Sequence, residues 1–440
     1  HQLTTILLYT SSTASSLAKT TIIIYPPNHL VSFSPQVPSM KSLPIGALLF
    51  GLVFVGTVSC FQTGPSSNGH LKGASLNWNG HSLKDFGRSF QSNLAMVTTE
   101  SASVAAEGTL GGEELEWRPG GYQFWEHNGQ QVHYVTRGDR SKPPVLLIHG
   151  FGASHFHWRY NIPELSKDYR VFAIDLIGFG LSDKPVIDYS AEVWVNQAAS
   201  FIEEIIQPEY EGGAKVSVAG NSLGGYTALA LSAARPDLVA SCALLNGAGR
   251  FEGAAEKEAR LAEEAREKSL WEKAQQAFGQ AVGRAVIAAS FIVTKQPQRI
   301  KQILTQVYPV DARNVDDALV ESIRLPAQHP DAAEVFYRII RRNGGGPQRS
   351  VNELLEALPA GFPLLLLWGE QDPWIRPAAA DKVQALYPGA ERISVDAGHC
   401  PHDEAPTAVN TALLNWIGRH SQATTFTATS SNNAAALPRE

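Results

Sequence analysis

Short runs of continuous apolar residues, each leading into a turn, alternate along this chain with stretches whose apolar positions recur at helical spacing. Pro144 to Ile148, Arg170 to Ile174, Lys215 to Ala219, Ser241 to Leu245, Pro363 to Trp368 and Arg392 to Val395 are the apolar runs. Runs of this length suit strands buried on both faces of a parallel sheet. Gln131 to Arg137 instead alternates apolar and polar side chains, which predicts a strand with one wet face. Helical patterns fall between the runs, at Ala191 to Ile206, Gly225 to Ala234, Ala378 to Leu386 and Ala405 to Ile417. Strands alternating with helices predict an α/β fold, a mostly parallel sheet with helices on both faces.

One block breaks this rhythm. Residues 251–345 carry helical patterns and no clear strand. Their first part is charged, with Glu256 and Arg260, and Glu264 and Lys268, at i,i+4 spacing. Their later part, Ala285 to Val293, is almost wholly apolar. An all-helical insert between two sheet strands reads as a cap over a site; its competing reading is a separate helical domain. Residues 114–250 and 346–420 are then the two parts of one α/β core, and the Ser/Thr/Asn/Ala-rich residues 421–440 form a disordered tail.

The N-terminal third reads as addressing. Met40 and Lys41 precede an apolar run from Leu43 to Val58, which closes on small residues, so residues 40–60 resemble a secretory signal peptide. A membrane anchor is the competing reading, though the run falls short of the about 20 apolar residues that a spanning helix needs. Residues 61–113 are a transit-like segment and linker: Phe61 to Lys84 holds no Asp or Glu and is rich in Ser, Asn and Gly. The two parts together resemble the targeting signals of algae with secondary plastids. They predict a plastid protein that arrives by a signal-peptide route, with secretion as the alternative. Residues 1–39 carry no usable motif.

Composition narrows the class. With 44% hydrophobic and 18% charged residues, the 440-residue chain matches a soluble globular enzyme with a sizeable core. A formal net charge of -6 and the lack of a basic run interleaved with aromatics argue against a nucleic-acid partner. Cys60, Cys242 and Cys400 are too scattered for a disulfide framework or a zinc site. No H-E-x-x-H, P-loop or dinucleotide fingerprint occurs, so no metal or cofactor is expected.

The candidate chemistry centres on Gly220-Asn221-Ser222-Leu223-Gly224, which directly follows an apolar run and directly precedes a helical pattern. This is the strand–turn–helix setting of a G-x-S-x-G elbow, with Ser222 as nucleophile. A serine hydroxyl needs a base to take its proton, and in α/β-hydrolases the chain order is Ser, then Asp or Glu, then His. Asp372 lies in the turn after Leu364 to Trp368 and is the expected acid, with Glu370 as runner-up. His399 follows Gly398 after the next strand and is the expected base. His402 reads as structural, with Asp403 and Glu404 as first-turn dipole and capping partners. Cys400 reads as a small buried neighbour of the base rather than as a reactive thiol.

An oxyanion hole needs two N–H donors; Leu223 after the nucleophile and Phe151 in the turn His149-Gly150-Phe151-Gly152 are expected to supply them. Asn221, Trp374, His155 and Trp158 are candidate pocket residues. His155, His157 and Trp158 either line the pocket or pack under the cap. Asp175 and the loop Gly178 to Asp183 read as a tight turn fixed by side-chain hydrogen bonds.

On the motifs around His149, Ser222, Asp372 and His399, together with Asn314-Val315-Asp316-Asp317 in the cap, the chain resembles a family. This is the group of plant and cyanobacterial α/β-hydrolases of the chloroplast that includes pheophytinase and chlorophyll dephytylase. The resemblance runs from about Tyr134 to Trp416, and the string Gly398-His399-Cys400-Pro401-His402-Asp403-Glu404 is its most specific part. It implies Ser222, Asp372 and His399 as the triad, and esters of a long isoprenoid alcohol, such as the phytyl ester of a chlorophyll derivative, as substrates.

The reaction expected is therefore cleavage of a hydrophobic carboxylic ester through an acyl-enzyme. The apolar cap stretch would cover the alkyl chain and meet a membrane surface. Carbon–carbon bond hydrolysis of dienoate-type ketones uses the same three groups and is the second reading; a slow-turnover ligand receptor on the same fold is the third. Dehalogenases and epoxide hydrolases place Asp at the elbow, where this chain has Ser222.

Overall fold

The computed structural model describes residues 112–420 apart from 268 and 343–348, together with two short strands nearer the N-terminus. Those two, Leu7–Tyr9 and Thr21–Ile23, pair antiparallel within a unit of residues 1–59. The targeting-like segments, the tail 421–440, Lys268 and the Glu264 side chain lie outside the described residues.

The second unit is built on eight strands: β1 (Gln123–His127), β2 (Gln130–Arg137), β3 (Pro144–Ile148), β4 (Arg170–Ile174), β5 (Val216–Asn221), β6 (Val239–Leu245), β7 (Leu364–Gly369) and β8 (Glu391–Val395). They form one sheet in the order β8-β7-β6-β5-β3-β4-β2-β1. From β4 to β8 every pairing is parallel, while β2 runs antiparallel to both β4 and β1. Because β3 to β8 run the same way, their C-terminal ends share one edge of the sheet, where ligands of open α/β sheets bind.

The strand sequences are continuous runs because both faces are covered. Leu146, Ile148, Phe172, Val216, Val218, Leu366 and Trp368 face one core, filled from α2 (Ala191–Phe201), α3 (Leu223–Ala234), α9 (Val351–Glu356) and α10 (Ala378–Leu386). Their neighbours Val145, Leu147, Val171, Ala219, Ala243 and Leu367 face the other, filled from α1 (Asn161–Leu165) and α12 (Pro406–His420). Alternate side chains thus serve opposite layers, as the period of two in a strand demands.

Between β6 and α9 the described residues form five α-helices, α4 (Ala254–Ala265), α5 (Leu270–Thr294), α6 (Pro297–Val307), α7 (Asp317–Arg324) and α8 (Ala332–Arg342). α6 and α7 bury Ile300, Leu304, Val307, Val315, Leu319 and Val320 around Phe156 of the core. The Glu256–Arg260 pair expected at i,i+4 does not form. Glu256 instead accepts from the Gly253 N–H at 2.9 Å, closing the start of α4, and Arg260 turns back to the carboxylate of Glu252 at 2.9 Å. An unpaired helix start is the stronger demand.

Candidate active site

β5 hands its chain to α3 through Ser222, whose φ of +53° and ψ of −115° are held only under constraint. The constraint is packing: a Cβ at Gly220 would stand 2.1 Å from the Gly224 oxygen, and one at Gly224 would stand 2.2 Å from the Ile148 oxygen. The Ser222 N–H donates to the Leu245 oxygen at 3.0 Å, and its carbonyl accepts from Ala248 at 2.9 Å, which ties the bend to the end of β6. The hydroxyl therefore stands at the C-terminal edge of the sheet, at the N-terminus of a 12-residue helix.

Asp372 and His399 meet there. His399 Nδ1 donates to Asp372 Oδ2 at 2.7 Å, and both side chains are buried. Asp372 is held on both oxygens: Oδ1 accepts from the N–H groups of Trp374 (2.7 Å) and Ile375 (3.0 Å), and Oδ2 accepts from Asn246 Nδ2 at 2.7 Å. Fixing Nδ1–H on the acid leaves Nε2 as the lone-pair nitrogen of a neutral ring, the tautomer that a base needs. Glu370 is turned away, paired with Arg392 and Ser394 at the edge strand, which disposes of the runner-up.

The main chain of His399 is gripped from two sides. Its carbonyl accepts from Asn221 Nδ2 at 2.9 Å, and its N–H donates to the Val307 oxygen at the end of α6 at 2.9 Å. Asn221 is thus not the pocket residue its position suggested; its amide also donates to the Leu245 oxygen at 3.1 Å and staples the loop of the base to the strand of Ser222. Trp374 does sit at the rim, 53% exposed, with its ring 4.9 Å from that of His399.

The turn after β3 lies against the elbow, since a Cβ on Gly150 would come within 3.3 Å of the Ser222 Cβ. His149 shapes this turn: its Nδ1 donates to the Gly150 oxygen at 2.7 Å while Nε2 accepts the Leu176 N–H at 3.0 Å. The Phe151 ring packs between Phe179 at 5.5 Å and Phe336 of α8 at 5.4 Å, bridging core and cap. Leu223 is the first residue of α3.

His155 and Trp158 do not line a pocket; both are fully buried, His155 among Trp117, Tyr122, His133 and Phe156, and Trp158 in the core filled from α1 and α12. His155 Nδ1 donates to Asp175 at 3.0 Å, as does His133 Nδ1 from β2, also at 3.0 Å. His133 Nε2 accepts the Tyr122 N–H at 2.9 Å, and Asp175 further accepts the N–H groups of His155 and Leu181. The ligand atoms of His133, His155 and Asp175 lie within 4.8 Å of one another, the one such group among the described residues. Hydrogen bonds already account for its geometry, and Asp175 has the loop-fixing role its turn predicted. The Trp158 ring packs at a tilt against the buried His402 ring, with centroids 4.2 Å apart.

Asp403 and Glu404 also differ from the expectation. Neither serves the dipole of its four-residue helix, α11 (Pro401–Glu404). Asp403 takes Nε of the fully buried Arg159 at 2.9 Å and the Tyr308 hydroxyl at 2.9 Å. Arg159 also reaches Glu114 (3.0 Å), Asp316 (2.7 Å) and the Asn314 oxygen (2.6 Å), so one guanidinium joins the lead-in segment, the cap and the loop of the base. Glu404 accepts from Val310 (2.8 Å) and Asp311 (3.0 Å) of the cap and from Gly398 (2.5 Å), the residue before His399. Buried backbone donors outrank a short helix dipole.

Burial sets the charge states around the site. It pulls His157 down to about 3 and His402 well below the ordinary imidazole range, so both rings are neutral. Burial also pushes Asp403 up to about 6 against the pull of Arg159. It raises the Cys400 thiol, with Asp403 and Asp372 adding to the effect, so Cys400 is a thiol rather than a thiolate.

This geometry, an elbow serine and a buried Asp–His pair at the C-terminal edge of a mostly parallel sheet, is that of a known fold family. The chain belongs to the α/β-hydrolase fold family, whose model matches residues 143–406. It is 32% identical over 337 residues to the chloroplastic pheophytinase of Arabidopsis thaliana, covering 69% of this chain and 65% of that protein. A 2-hydroxy-6-oxo-6-(2'-aminophenyl)hexa-2,4-dienoic acid hydrolase of Metapseudomonas resinovorans is 38% identical over 130 residues, 29% of this chain and 42% of that one. Thus the chain spans less than two thirds of the length of these relatives. Among solved structures, an enol-lactonase from Burkholderia xenovorans LB400 shares the fold with a TM-score of 0.51 at 21% identity, over 67% of this chain and all of that one.

Proposed function

We propose that this protein is a serine hydrolase that cleaves a hydrophobic carboxylic ester. The observation that carries the reading is the 2.7 Å bond between His399 and Asp372, at the same sheet edge as the strained Ser222. In this reading His399 Nε2 takes the Ser222 proton as Oγ attacks the ester carbonyl. The oxyanion draws on the N–H groups of Phe151 and Leu223, and the alcohol leaves with the proton returned by His399. Water then hydrolyses the acyl-enzyme by the same relay. No cofactor takes part in this scheme.

The phytyl-type ester of a chlorophyll derivative is the substrate class favoured, supported by the likeness to a chloroplastic pheophytinase over 69% of the chain. The same likeness supports a plastid location. A second reading, carbon–carbon bond hydrolysis, is supported by the likeness to the dienoic acid hydrolase and would use the same three residues. Purified protein should hydrolyse nitrophenyl esters and react with a fluorophosphonate probe, and Ser222→Ala should abolish both. Retained turnover in Ser222→Ala would overturn the nucleophile. Chromatography of products from pheophytin a, chlorophyll a and a dienoate ketone would separate the substrate readings.

A further inference from the structure

α5 is a 25-residue helix, long and apolar enough to cross a membrane, yet it is committed on one side. Its inner face packs against α8: the Phe291 ring lies 5.1 Å from Phe336, Gln280 accepts from the Tyr337 hydroxyl at 3.1 Å, and Arg284 meets Glu334 at 3.1 Å. The opposite face is a second apolar stripe. Trp271, Phe278, Val282, Ala285, Ala289, Ile292 and Val293 fall along one side at 3.6 residues per turn. All are exposed, Trp271 at 71%, Phe278 at 73% and Ile292 at 61%. Singly exposed apolar residues need no explanation, but a stripe along about 33 Å of helix does.

The charge around the stripe indicates what covers it. From Lys273 to Val310 the chain carries Lys273, Arg284, Lys295, Arg299 and Lys301 and no Asp or Glu, although the whole chain is net acidic at -6. Two acids at α5 are engaged away from the stripe: Glu272 bonds Arg266 and the Ser269 N–H, and Glu334 faces Arg284 on the inner side. Arg284 is committed to Glu334 and Lys301 stands 3.9 Å from Asp317, so Lys273, Lys295 and Arg299 carry the excess, off the stripe itself. An exposed apolar stripe on a segment that carries cations and no acid is the pattern of a helix lying in a lipid headgroup layer. The helix also connects to the site, for Phe291 touches Phe336 and Phe336 touches Phe151 beside Ser222.

We propose that α5 is a membrane-docking helix: it lies flat in the headgroup region of an anionic lipid surface and sets the site over substrate dissolved in that surface. The docking stands on the exposed stripe and the cation excess alone; the delivery of substrate rests on the ester-hydrolase reading.

The full chain and a Trp271→Glu/Phe278→Glu double variant would be floated with vesicles of phosphatidylglycerol or of phosphatidylcholine. Both substituted side chains are exposed, so matching thermal melts are expected. The unmodified chain should bind phosphatidylglycerol at least about tenfold more tightly than phosphatidylcholine, with weakening in 0.5 M salt, and the double variant should lose about tenfold. Turnover of a water-soluble nitrophenyl ester should be equal in both proteins, while turnover of a vesicle-embedded ester should fall in the variant. Equal vesicle binding by the two proteins, binding blind to lipid charge, or a self-association broken by the same substitutions would overturn docking. Vesicle binding without any ester turnover would instead sink the hydrolase reading and leave docking standing.

Discussion

Asn246 donates to the same oxygen of Asp372 that receives the His399 ring, at 2.7 Å. Its Oδ1 meanwhile accepts the N–H of Gly369 at 2.9 Å, so one side chain sets both the end of β7 and the aim of the acid. Asn246→Ala removes a hydrogen bond to a charged group, worth about 1.5–3 kcal/mol. It should lower kcat about 10- to 100-fold with KM little changed, because the lost contact orients the base and touches no substrate. Steady-state kinetics on a nitrophenyl ester reads this directly; a change in KM alone would refute the orienting role.

Arg159 is fully buried among Asp403, Asp316 and Glu114. Arg159→Met leaves Asp403 in the core without its cation, a change that typically costs about 3–5 kcal/mol. Urea unfolding monitored by tryptophan fluorescence should show a loss of that size. A near-neutral result would contradict this, and would mean that burying the guanidinium costs as much as its contacts return.

Burial pulls five imidazoles among the described residues, His127, His149, His155, His157 and His402, below the ordinary range, His157 to about 3. In the unfolded chain each takes up a proton near pH 6.5, which the folded state refuses. Their contribution is thus present above pH 6.5 and is lost as pH falls toward the folded values, by about 1.4 kcal/mol per unit for each histidine. Asp403, raised to about 6, acts in the opposite sense between pH 4 and 6 and offsets one of them. Unfolding free energy should fall steeply from pH 6.5 to 5, and His157→Gln should make the slope shallower by about one histidine's worth. Equal slopes in the two proteins would contradict the burial of a neutral ring there.

Cys242 and Cys400 are buried and unpaired, and burial pushes Cys242 up to about 12 and Cys400 also upward. Native protein treated with a maleimide at pH 7.5 should keep both thiols unmodified by mass spectrometry, while protein in urea should be labelled at both. Labelling of native Cys400 would reopen its reading as a reactive thiol.

The buried strands were legible because a run such as Leu364 to Trp368 has to fill two cores at once, and nothing but a parallel sheet asks that of five residues. β1 escaped notice because three of its five residues face water, which blurs the pattern. The signal was nonetheless present in Asn128-Gly129, both at positive φ in a tight hairpin. Ser222, Asp372 and His399 were readable from local context, each being a turn residue after a strand. Arg159 was not, since its partners stand 45, 157 and 244 residues away and nothing local marks a buried cation. Asn246 left a fainter trace, an Asn immediately after a buried strand, where its tolerance of positive φ is useful.

The Val307–His399 bond, with Glu404 on Val310 and Asp311, ties the end of α6 and the segment after it to the backbone that carries His399. Any outward shift of α6 would pull on the main chain of His399 through that bond. α4 and α5, earlier in the same insert, make none of these bonds with the His399 loop. One insert thus holds both a part bonded to the His399 loop and a part that is free of it.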